Sequence, residues 1–177
     1  MSRFVFRAMG AAALDPSAFE EVEIDRRATV QAFGVVLLSS LAAGVGAAGT
    51  DAPTPAAIAG FSTVALATWL AWAALILHFG GRLSPEAATK VDFGQLVRTI
   101  GFAAGPGVLQ VMAAMTTIRW YAFGIAWAWM LAAMIVAVRQ ALDYESLWHA
   151  VRVCVITLAV VLMTAVIFAI GVGTIVQ

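Results

Sequence analysis

The sequence predicts an all-α fold, a polytopic membrane helix bundle with five transmembrane helices behind a short N-terminal interfacial helical segment. Three observations lead there. Of 177 residues, 63% are hydrophobic and only 11% are charged, outside the range of soluble domains. The charges gather in short clusters between apolar runs of about twenty residues, the length a helix needs to cross roughly 30 Å of hydrocarbon. None of those runs contains a carboxylate.

The N-terminal segment, residues 1–28, precedes the membrane domain, residues 29–177. Its start, "MSRFVFRAMGAAAL", is basic and then apolar, as in a secretory signal. Arg7 interrupts the would-be apolar core and an acidic cluster follows, which favours an amphipathic interfacial helix with Arg3 and Arg7 on one face. "LDPSAFEEVEIDRR" reads as a second short helix. Asp15 is a natural N-cap, Pro16 fits the first helical position, and Ser17 to Glu20 has capping-box spacing. Phe19, Val22 and Ile24 give it an apolar side for the membrane surface.

The five spans are expected at residues 29–49, 58–78, 97–118, 120–138 and 152–176. "TDAPTP" (50–55) is a turn between the first two. In "GGRLSPEAATKVDFGQ" (80–95), Gly80-Gly81 ends a helix and Ser84-Pro85 begins a turn. Spans three and four are joined by almost nothing and must form an antiparallel hairpin. Before the last span, Ser146 is placed to cap a helix. Nine of the ten Lys and Arg residues fall on one side of this topology and only Arg119 on the other. The positive-inside rule then places the N-terminus in the cytoplasm and the C-terminus outside.

Composition and motifs exclude several functions. The formal net charge is zero, so nucleic acid is not an expected partner. The single cysteine, Cys154, allows no internal disulfide and no Cys-based metal site. His78 and His149, with Glu86, Asp92, Asp143 and Glu145 nearby in sequence, show no metal-ligand spacing. No nucleophile–base arrangement stands out, so no enzyme and no cofactor is expected. Gly44, Gly46 and Gly49 match the dinucleotide fingerprint by letter, but they end an apolar span instead of joining a strand to a helix. They are better explained as small residues that let helices approach closely.

The third span holds the least helical stretch, "GFAAGPGVLQV" (101–111). Gly101 and Gly105 form G-x-x-x-G, and Pro106 with Gly107 breaks or kinks the helix. Such a break either opens a pathway, with Gln110 capping the freed carbonyls, or serves packing. The absence of a second copy and of charge at depth favours packing. Six tryptophans divide by position. Trp120 and Trp148 suit the interfaces, whereas Trp69, Trp72, Trp127 and Trp129 sit deeper, as candidate contacts for a lipid, a pigment or a partner helix.

Taken together, "LDPSAFEEVE", "RTIGFAAGPGVL" and "AVRQALDYESLWHAVRVCVI" resemble the bacterial branch of the Yip-domain family, named for Ypt-interacting proteins. The resemblance implies five spans behind a cytoplasmic N-terminal segment, with the Gly-Pro break as part of the shared architecture. Eukaryotic members work in membrane traffic and bind small GTPases through their N-terminal region. On this resemblance Arg98, Arg139, Asp143 and Arg152 form a candidate cluster at the cytoplasmic span ends, locking the bundle or holding a lipid headgroup. The expected function is a non-enzymatic protein of the bacterial inner membrane, membrane-organising or an accessory subunit of a larger complex. The alternative is a small-solute or ion transporter using the broken span. Expected partners are membrane lipids and other membrane proteins or further copies of the chain.

Overall fold

The computed structural model describes residues 3–49, 54–83 and 93–175. Helices run over Arg3–Ala12 (α1), Pro16–Ile24 (α2), Ala28–Ala48 (α3), Pro55–Leu83 (α4), Phe93–Ala103 (α5), Arg119–Ala141 (α6) and Leu147–Ile175 (α7), with 3₁₀ turns over Gly105–Ala114 and Thr116–Ile118. Five stretches are long and apolar enough to cross a membrane: Ala28–Ala48, Pro55–Gly80, Phe93–Ala114, Arg119–Ala141 and Leu147–Thr164. The fold is an all-α polytopic bundle.

At its centre α3 packs along the whole third span, α5 and its 3₁₀ continuation. The helix α4 lies against α3, α6 against the third span, and α7 touches both α4 and α6. The small α1 and α2 pack on α5 and α6 at one end of the bundle, here called proximal. Burial follows the same axis. Among the described residues of α7 the buried ones are Ala150, Val153, Cys154 and Thr157, all in its first three turns.

Helix ends follow local chemistry. The Asp15 carboxylate accepts from the Ser17 N–H at 3.0 Å with Pro16 in the first turn, so Asp15 alone caps α2. Ser17 turns its hydroxyl back to Asp15 instead of opening a capping box towards Glu20. The Ser146 hydroxyl accepts from the Trp148 N–H at 3.2 Å and starts α7 five residues before the expected span. Thr54 does the same for α4 through the Ala57 N–H.

Two helices stop in a way the sequence hides. Leu14 (φ 62°) and Asp143 (φ 48°) take the left-handed conformation normally given to glycine. Each lets the next residue's N–H reach back five residues, Asp15 to Gly10 and Tyr144 to Arg139. Leu14 packs against the core, which offsets its backbone strain. Gly80, expected to end a helix, lies inside α4, which runs on to Leu83. A Cβ at Gly80 would meet Leu142, and its carbonyl accepts from the buried Tyr144 hydroxyl at 3.0 Å. The glycine is there for close packing, and the turn expected at Ser84-Pro85 lies outside the described residues.

Candidate functional site

The break in the third span becomes a change of helix type. From Gly105 to Ala114 the chain winds as a 3₁₀ helix of ten residues, where runs beyond three or four are uncommon. Pro106 has no N–H to give to a carbonyl four residues back, which ends α5. At three residues per turn Gly107, Gln110 and Ala113 stack in one row, and all three are buried. The intervening Val108, Leu109, Val111 and Met112 face outward.

That row is closed by its neighbours. A Cβ on Gly46 of α3 would meet the Gln110 carbonyl, one on Gly107 would meet Met130 Sδ of α6 at 2.8 Å, and one on Gly101 would meet Ala32 Cβ at 2.8 Å. The glycines are what let the backbones come this close. A carbonyl at the break takes a second donor from a residue the sequence did not single out for that role. Ser39 of α3 donates to the Ala104 carbonyl at 2.6 Å, which also accepts from the Gly107 N–H at 2.9 Å. Gln110 instead turns to Met130, its amide 3.4 Å from the sulfur. No local pattern distinguishes Ser39 from Ser40; only the α3 packing does.

Beside this row lies a cleft of about 280 Å³ between α4 and α6, floored by α3 and the third span. Trp69, Trp72 and Trp127 line it, with Ser39, Ser40, Thr68, Ala104 and Gln110. Most of the wall is apolar. The indole N–H groups of Trp69 and Trp72 are buried without an acceptor, and Thr68 returns its hydroxyl to the Val64 carbonyl. Trp129 is elsewhere. Its indole donates to the Ala12 carbonyl at 2.7 Å and pins the end of α1 to α6.

The proximal end carries the ionic chemistry. Arg7 is only 2% exposed and donates to Glu21 at 3.0 and 3.1 Å, to Asp25 at 2.7 Å and to Gln31 of α3 at 3.1 Å. Arg3 is exposed. The two arginines therefore do not share a solvent face: α1 turns Arg7 and Ala11 inward and Val5, Phe6 and Met9 outward. Burial by itself would lower the Arg7 pKa, but its hydrogen bonds to Asp25 and Glu21 and their charges hold it above the ordinary value. The Arg7 bond, followed by the Arg27 N–H, holds the Asp25 carboxyl below its usual range.

Arg98, buried in α5, donates to the Glu23 carbonyl at 2.7 Å and approaches the Thr29 hydroxyl at 3.5 Å, closing the end of α2. Burial, then the charge of Asp143, pushes the Glu23 carboxyl upward, and Arg98 partly opposes the shift. So Arg98 and Asp143 meet electrostatically through Glu23, a residue absent from the expected cluster. Arg139 donates to the Tyr144 and Glu145 carbonyls, both at 3.3 Å, and Arg152 is exposed on α7. Glu86 and Asp92 lie outside the described residues. Among the described residues no three His, Cys, Asp or Glu side chains converge.

Comparison with known proteins decides the family. The family model of the Yip1 domain matches residues 11–168. The chain belongs to the Yip1-domain family. The match begins at the end of α1 and ends within α7, so α2, the 3₁₀ segment and the cleft all fall inside the Yip1 domain. No curated protein and no solved structure shows significant similarity to the chain.

Proposed function

We propose that this Yip1-domain protein works non-enzymatically in a bacterial plasma membrane, as a membrane-organising protein or an accessory subunit of a larger membrane complex. The observation that carries this reading is the sealed third span. Leu96, Ile100, Phe102 and Ala103 are almost wholly buried, and the 3₁₀ row beyond them is packed against α3 and α6. The polar groups there are spent on neighbours, Ser39 on a carbonyl and Gln110 on a sulfur, and present no chain of sites to a moving ion. The positive-inside rule, with nine of ten Lys and Arg on one side of the expected topology, supports a cytoplasmic position for α1 and α2. There they add to the bundle at one membrane face only, an asymmetry suited to organising a bilayer.

One observation favours the second reading, a transporter or channel: the cleft reaches Ala104 and Gln110. Its wall is apolar and its floor is the packed row, which suits a hydrocarbon better than a hydrated solute. Single cysteines at Leu96, Ile100 and Gln110, in a Cys154→Ala background, separate the two. Protection from a membrane-impermeant thiol reagent added to either side supports the non-conducting reading, and labelling at all three from both sides overturns it. Gentle extraction through a C-terminal tag then tests the accessory role: a stoichiometric complex supports it, whereas recovery of the chain alone leaves membrane organisation.

A further inference from the structure

We propose that the cleft between α4 and α6 is a binding slot for one hydrocarbon tail of a bilayer lipid. Its dimensions carry the inference. The lining spans residues 36–47 of α3, 61–72 of α4 and 123–134 of α6, an eleven-residue step on each helix. At about 1.5 Å per residue that is roughly 16 Å, the hydrocarbon depth of a single leaflet, half of about 30 Å. The stretch lies towards the distal end of α3 and is centred close to the middle of the α4 and α6 spans, so the slot sits within the hydrocarbon.

The volume fits the same occupant. About 280 Å³ is close to twice the roughly 150 Å³ apolar cavity that holds one benzene, so the space suits on the order of a dozen hydrocarbon carbons. The wall chemistry agrees. Ser39, Thr68 and Gln110 direct their hydrogen bonds to the protein itself, which leaves the indole N–H groups of Trp69 and Trp72 as the unpartnered donors of an otherwise apolar wall. Small residues on α3, Ala43 and Ala47, make the room. Beyond the mouth, Trp120 and Tyr121 are the most exposed aromatics of α6 and mark the interface at which a lipid headgroup would stay. The inference rests on the five spans crossing a bilayer and is independent of the accessory role.

The test uses the full chain in vesicles of phosphatidylcholine brominated at mid-chain, with Trp120, Trp127, Trp129 and Trp148 replaced by Phe. Trp69 and Trp72, 8% and 6% exposed, are then the reporters, and bulk lipid scarcely touches them. Expected is loss of most of their fluorescence, restored when the slot is filled by Ala43→Phe or, if that variant misfolds, by Ala65→Leu. Absence of quenching overturns the proposal, and if it coincides with a stable dimer the occupant is a second copy. Quenching that survives both filling variants also overturns it, because the bromines then reach the indoles from bulk lipid.

Discussion

The proximal and distal halves of this bundle are made from the same apolar alphabet and solve opposite problems. In the proximal half α1 and α2 close on α5 and α6, and Arg7 and Arg98 each bind groups on two other elements. In the distal half α7 exposes Leu162, Met163, Val166 and Ile167, and α4 and α6 stand apart around the cleft. Apolar surface costs little in a bilayer, so the distal half has no pressure to close. Polar groups and charges are expensive there, so the proximal half pairs most of those it takes in, the Nε–H of Arg98 being left without a partner. A membrane protein concentrates its polar bonding where its charges are, and leaves room where it has none.

Added volume is the sharpest way to break that comparison. Leu at Ala137 or Ala150, both wholly buried, should cost about 3 kcal/mol by overpacking, read as a fall in thermal midpoint. The same change at Ala65, on the cleft, should cost less than about 1 kcal/mol. Equal losses would mean that the cleft is as tightly packed as the proximal core.

Arg7→Ala comes next. It removes a buried guanidinium from three bonded partners, of which Glu21 and Asp25 are partly exposed, and should cost about 2 kcal/mol while exposing α1 to protease. Arg7→Lys should recover only part, since an ammonium cannot reproduce the fork. Ser39→Ala leaves the Ala104 carbonyl with one donor and should cost about 1 kcal/mol. An unchanged midpoint would mean the 3₁₀ segment is held by the glycine contacts alone.

The smallest effect concerns pH. Asp25 has a lowered folded pKa, so its contribution is full above the ordinary value of 3.8 and is lost as pH falls through the lower folded value. The Arg7 latch therefore holds at neutral pH and opens only in acid. Glu23 has the opposite sign. Its pKa is raised, so its contribution is full below the ordinary 4.5 and is lost as pH rises through the folded value. Glu23→Gln should thus stabilise the protein at neutral pH, by less than about 1 kcal/mol given its partial exposure, and have no benefit in acid. A uniform gain at both pH values would point to packing instead of charge.

Hydropathy and local capping chemistry by themselves determined the all-α class, the number of spans and the helix caps at Asp15 and Ser146, because each depends on residues adjacent in the chain. Chain neighbours also marked the third span as broken, through Pro106 and its glycines. Four outcomes needed the tertiary structure. Arg7 is a buried centre and not an interfacial charge because Glu21, Asp25 and Gln31 come from two other helices. Ser39 caps the break because α3 lies across it. Trp129 holds α1 while Trp69, Trp72 and Trp127 line the cleft, a division set by which face of α4 and α6 meets which neighbour. The cleft itself is a property of spacing between helices far apart in sequence. In a chain this apolar, periodicity carries little information about which face turns inward, because lipid and protein interior are equally good solvents for the same side chains.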